Sequence, residues 1–322
     1  MAPIKGMRDI LRLLEAEVSG PREKANKNKS YIHELLRDLR GMKGYILSIQ
    51  QERSQEFLSM YRWKSYILDY IIFLHTSLFL LCAEKFPLDE SNDDVNDEPD
   101  KLTMKMRFTT SALTHLINSL FSIYILLEKG LDVQAKQILR SYIEYSDLTL
   151  AVLGDEDFYD NYRRMGDGER ERKEVWNKFT RPSALTKILE RIFIDMDGTR
   201  EHWNILQQIR KQLYDDLSEY THGHFMAVLF GAFGEIAGGE ITRTPLGAIT
   251  KRVDSTLINT IDYGYLFIKH IVIAIVKYQK LPFMTFGEEG AKFVMYYKIL
   301  ESFMPAFFLV SSMGKGKSPT KL

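Results

Sequence analysis

Hydrophobic residues recur at steps of three and four along most of the chain, the period that lines one face of a helix. The clearest run is Ile32, Leu35, Leu39, Met42, Ile46, Ile49, Arg53, Glu56, Met60, Trp63, Ile67, Tyr70, Leu74, Ser77 and Leu81, which is apolar except at Arg53, Glu56 and Ser77. A spacing near 3.5 held this long predicts one long helix, or a helical hairpin, packed in coiled-coil fashion. Arg53 and Glu56 mark either a bend or an exposed middle. On the pattern alone the seam serves a second copy of the chain as well as it serves the chain's own core. A homo-oligomer through residues 30–83 is the expectation carried forward.

Around that run the punctuation is clear. Residues 3–18 read as a short amphipathic helix closed by Gly20 and Pro21, and Arg22 to Lys29 is a polar linker leading to Ser30 as an N-cap. Asp89 to Asp100 is strongly acidic, yet it lacks the central glycine and the ligand spacing of a calcium loop, so it reads as a solvated linker. The division that follows is a helical region over 1–88, a linker over 89–101, a helical bundle over 102–306 and a flexible basic tail over 307–322. Within the bundle, helices are predicted near 102–129, 132–153, 155–165, 168–180, 183–194, 200–225, 251–280 and 287–304. Gly130 and Gly154 stand where helices should end, and Pro182 where one should begin. The Gly-rich stretch Gly231 to Gly247 is a loop or a small hairpin. The fold class is all-α: a long coiled-coil-like N-terminal helix or hairpin followed by a multi-helix bundle.

Composition sharpens this picture by exclusion. With 43 Lys and Arg against 43 Asp and Glu in 322 residues, the chain is not a generic polycation for nucleic acid, although a local basic groove stays open. The one cysteine, Cys82, rules out a disulfide within the chain and a cysteine-based zinc site, and it fits a cytoplasmic setting. Phe108 to Leu127 is uncharged and of membrane-spanning length, but eight of its residues are polar. The other long apolar runs are cut by Asp69, Lys269 or Pro305, so no membrane span is expected.

Three segments carry candidate chemistry. Ile192 to Thr199 (IFIDMDGT) has the letters of a phosphatase motif built around an aspartate nucleophile, but it lies between helices rather than at a strand end, and a helix terminus explains it better. In Tyr214 to His224, the residues Asp215, Ser218, Glu219 and His222 share one helix face. His222 and His224 could offer two imidazoles to a metal with Glu144 and Asp147, yet a hydrogen-bonded structural histidine is the favoured reading, and no metal or other cofactor is assigned. Arg140 and Glu144, four apart in an apolar helix, form either an intrahelical pair or half of a buried network. That network would face Ser218 and His222, with His115 and Asn118 close by, and Tyr214 and His224 complete the candidate binding residues.

Arg140-Ser141-x-x-Glu144, then Trp176 and Pro182-Ser183, then Tyr214-x-x-Leu217-Ser218-x-x-x-His222, resemble segments that recur in a family of uncharacterised prokaryotic helical proteins. These are similar in layout to the HEPN helical bundles, which include RNase toxins and phage-defence effectors. The resemblance covers about 102–226. HEPN ribonucleases carry an Arg and a His with four to six residues between them, whereas here Arg107 and His115 have seven between them and Arg210 and His222 have eleven. Ribonuclease chemistry would therefore need Arg140 and His222 from different helices, with His as base and Arg on the phosphorane. Two functions are expected. The first is a self-associating interaction or scaffold protein, a subunit of a phage-defence or toxin-like system with a protein partner. The second is a HEPN-like ribonuclease with Arg140, Glu144, Ser218 and His222 as its site and RNA as its partner.

Overall fold

The structure is a computed structural model. It describes residues 22–87, 100–166, 168–197, 199–201, 203–204, 207–208, 210–211, 214, 217, 233–235, 241–243, 249 and 251–313. The helices are α1 (Arg22–Lys85), α2 (Lys101–Glu128), α3 (Asp132–Gly154), α4 (Glu156–Tyr162), α5 (Glu169–Val175), α6 (Pro182–Asp197), α7 (Lys251–Lys277) and α8 (Gly287–Met313). A π turn over Trp176–Thr180 continues α5, and the described residues between 200 and 217 are helical. The Gly-rich stretch holds a small antiparallel hairpin, Phe233–Glu235 against Ile241–Arg243. Among the described residues the protein is all-α apart from it.

Two compact units divide the chain, Met1–Ser54 and Gln55–Leu322. In the first, the described part of α1 leaves Met42, Tyr45 and Leu47 more than half exposed. The second is a bundle with α3 at its centre, packed against α2, α6 and α7. Helix α1 stays helical through Arg53 and Glu56, and its one non-helical residue is Tyr61 (φ −123°, ψ 16°). From there on one apolar face packs inside the bundle, while Trp63, Tyr66, Phe73 and Leu80 stay exposed. Phe57, Leu68, Ile71, Leu74, Leu78 and Cys82 are fully buried within the chain's own second unit. Those buried members of the expected 30–83 seam are taken up by the chain's own core.

Capping and turn chemistry place the helix ends. Asp100, the last residue of the acidic linker, accepts a hydrogen bond from the Thr103 amide at 3.0 Å and starts α2. Asp155 does the same for α4 through the Phe158 amide at 2.8 Å. Gly130 takes φ of 73°, which closes α2 in the left-handed conformation that glycine accepts without strain. Helix α8 runs past Pro305 to Met313, beyond the end expected at 304. Pro305 is exposed, so the hydrogen bond it cannot make faces water.

A polar contact is fixed deep in this core. His75 lies with Nδ1 2.8 Å from the Ile71 carbonyl and Nε2 2.9 Å from the Tyr142 hydroxyl. A carbonyl can only accept, so Nδ1 carries the proton, and Nε2 accepts from Tyr142. The imidazole also stacks on Phe267, joining α1, α3 and α7 in one layer. At Gly264 on α7 the helix approaches α1 so closely that a Cβ would sit 2.7 Å from the Ile71 side chain. Gly264→Val should cost roughly 1–3 kcal/mol by overpacking, read as a lower urea midpoint at unchanged m-value.

The expectation of no membrane span is corrected. Arg40–Lys85, Lys101–Glu128 and Arg252–Lys277 are each long and apolar enough to cross a membrane by length and composition. The polar residues that argued against this hide their polarity inside the helix. Thr109, Thr110, Thr114, Ser119 and Ser122 each donate to the carbonyl four residues earlier, at 2.7–3.2 Å, as do Thr256 and Thr260 on α7. A hydroxyl satisfied by its own backbone no longer needs water. In the most apolar windows of α1 and α2, only 44% of residues are buried, so much of their apolar surface is uncovered.

Candidate functional site

Two helical stripes of polar residues face each other across the bundle. Helix α3 presents Arg140, Glu144 and Asp147, four and then three residues apart. The helical residues between 200 and 217 present Arg210 and Tyr214, four apart. Residues three and four apart share a helix face, so Tyr214 meets Arg140 and Glu144 while Arg210 meets Asp147.

The outer rung is a closed triangle. Arg140 Nε donates to Glu144 Oε1 at 3.1 Å, and Arg140 Nη2 donates to the Tyr214 hydroxyl at 3.0 Å. That hydroxyl donates in turn to Glu144 Oε1 at 2.8 Å. The guanidinium also lies over the Tyr214 ring, 4.7 Å from its centroid. Each member thus answers the other two. The Glu144 side chain is 44% exposed, so this rung meets solvent, while Arg140 lies largely beneath it.

The inner rung is the Arg210–Asp147 ion pair, with both side chains largely buried. Burial pushes the Asp147 carboxyl up to about 6; the Arg210 charge opposes that shift and nearby Glu144 adds to it. Arg210 packs against Trp203, which stacks on Phe193, and Phe193 meets His270 edge-on. Burial likewise raises the Tyr214 phenol, helped by its bond to Glu144.

A cavity of about 20 Å³ opens beside the inner rung, lined by Ser146, Asp147, Phe193, Arg210, Tyr263 and His270 together with Leu150, Leu266 and Phe267. That is room for a single water molecule. Pockets for small-molecule substrates run to roughly 300–1,000 Å³. Among the described residues, no group of three His, Cys, Asp or Glu side chains could hold a metal ion.

Of the residues singled out in the sequence, Arg140, Glu144 and Tyr214 come together. His115 and Asn118 lie on the exposed outer face of α2, where the His115 ring rests on Tyr145 with centroids 4.1 Å apart. They are not part of a buried network. Ser218, His222 and His224 lie outside the described residues. The phosphatase-like letters fall within the end of α6, where Asp195 pairs with Lys277 at 2.9 Å and accepts from the Tyr278 hydroxyl at 2.7 Å. Asp147 entered the sequence reading only as a spare carboxylate, and the pairing of Arg210 with it was missed. Asp147 lying one turn beyond Glu144, and Arg210 one turn before Tyr214, was the signal that could have found it.

Comparison with family models, with curated proteins and with solved structures finds no match to this chain.

Proposed function

We propose that the protein is a helical interaction or scaffold protein, and that the Arg140–Glu144–Tyr214 and Arg210–Asp147 rungs are structural ties rather than an active site. The observation that carries this is the small cavity: its volume of about 20 Å³ beside the Arg210–Asp147 rung admits a water there and no nucleotide. An active site keeps donors aimed at a place where substrate charge develops. Here the donors of Arg140 are engaged by Glu144 and Tyr214, and Arg210 is engaged by Asp147. Uncovered apolar residues elsewhere, among them Met295, Ile299 and Phe303 on α8, are each at least half exposed, and they suit a protein that works by contact. A place in a phage-defence or toxin-like system rests on the sequence resemblance.

Incubation with labelled RNA and single-stranded DNA, with and without divalent metal, tests the reading. No cleavage above background is expected from the wild-type chain, and Arg140→Ala should change nothing but stability. Metal-independent RNA cleavage that disappears in Arg140→Ala and in His222→Ala, with both variants folded by circular dichroism, would overturn it in favour of the HEPN-like ribonuclease.

A further inference from the structure

Between 163 and 191 the chain carries nine Arg and Lys against five Asp and Glu, in a protein that is balanced overall. Trp176 lies within this basic stretch and is 53% exposed. It begins the π turn that continues α5, between Val175 and Thr180, which are buried on the inner side. Arg172 and Lys173 precede Trp176 by four and three residues, so all three share the outer face. The Arg181 amide donates to the Trp176 carbonyl at 2.9 Å, which puts Arg181 one wide turn further on. The result is a short outward stripe, basic at both ends with an indole in the middle.

Charge pairing does not cancel this stripe. Lys173 is held by Glu169 at 2.7 Å, an exposed pair of little energetic weight. Arg172 and Arg181 are exposed and have no carboxylate partner among the described residues. The π turn is a second oddity at the same place, since such turns concentrate at functional positions.

Position says which polyanion fits. Lys101, at the first residue of α2, pairs with Asp160 of α4 at 2.9 Å, and Lys277, at the last residue of α7, pairs with Asp195 of α6 at 2.9 Å. One of the three helices apolar enough for a bilayer, α2, therefore starts against the short-helix region that bears the stripe, whereas Lys277 meets the far end of α6. Trp and Arg at the ends of such helices are the residues that favour a membrane–water boundary. The stripe is also the outer face of a helix, whereas single-stranded nucleic acid is held in grooves.

From this we infer that the Arg172–Trp176–Arg181 stripe docks on an anionic phospholipid surface. Trp176 enters the headgroup boundary, and Arg172 and Arg181 pair with lipid phosphates. The stripe shares no residue with the Arg140 and Arg210 rungs, so the inference stands apart from the scaffold reading.

The test is co-sedimentation of the full chain with phosphatidylcholine vesicles, with and without phosphatidylserine, at low and high salt. The expected result is preferential, salt-sensitive binding to the anionic vesicles. Replacing each arginine by glutamine should weaken that binding about fivefold, so Arg172→Gln/Arg181→Gln loses about 25-fold. Trp176→Ala should weaken it as well, with the far-ultraviolet circular dichroism of every variant unchanged. Equal binding to neutral and anionic vesicles would overturn the inference, as would full anionic binding by the double variant. A single-stranded oligonucleotide is the control: stripe-dependent binding to it, without preference for anionic lipid, would also overturn the inference.

Discussion

Asp147→Ala should be among the most damaging single changes in the protein, costing about 3–5 kcal/mol at neutral pH. It removes the partner of Arg210 and leaves a largely buried guanidinium without its counter-charge. Arg210→Met alone should cost a similar amount, because it strands the carboxylate. The double variant Asp147→Leu/Arg210→Met should recover most of the loss, since an apolar pair of similar bulk needs no counter-charge. Urea unfolding of the four proteins closes the cycle. A double variant as unstable as the sum of the singles would mean that the polar pair cannot be replaced by packing.

The same carboxyl predicts a pH signature. Its folded pKa, about 6, lies above the usual aspartate value. In the window between about 4 and 6 the folded protein therefore binds a proton that the unfolded chain does not. The contribution of this group to stability is full below the unfolded pKa and falls as pH rises through the folded one. Carboxylates such as Asp100 and Asp195, held below their usual range by hydrogen bonds, act in the opposite sense. The difference between wild type and Asp147→Asn isolates the one group. Stability of the wild type relative to the variant should decline from pH 4 to pH 6 and then level off. A flat difference across that range would show that Asp147 titrates normally.

The second large effect is expected at the His75 layer. His75→Ala should cost about 3 kcal/mol, because it opens a hole between α1, α3 and α7 and strands the buried Tyr142 hydroxyl. Tyr142→Phe should cost less, about 1–3 kcal/mol, since it removes only the donor to Nε2 and keeps the ring against Phe267. Thermal unfolding followed at one pH ranks the two. If Tyr142→Phe proved as severe as His75→Ala, the hydrogen bond rather than the packing would dominate the layer.

The small cavity links these stability predictions to function. Ionic groups held mainly by one another are expensive to disturb and poorly placed to act on a substrate, which favours a structural role. Contact surface is, by contrast, plentiful: the outer face of α8, the uncovered apolar surface of α1 and α2, and the basic indole stripe after α5.

By itself the sequence determined the helical architecture. The 3.5-residue period, Gly130 and Gly154 at helix ends, and Pro182 at a helix start are local signals, written in neighbouring residues and readable without a partner. The Arg140–Glu144 pair was legible for the same reason, since four residues on a helix fix the geometry. What the apolar faces touch was decided only in three dimensions. The run from Phe57 to Cys82 looks the same whether it meets another copy or its own bundle, because hydrophobic burial has no direction. Most hydroxyls of α2 look polar as letters and lose that polarity at the helix surface, because five of them bond their own backbone. Arg210 and Asp147 lie more than sixty residues apart in the chain. Their pairing depends on two helices arriving in register, and that register is a property of packing rather than of either segment.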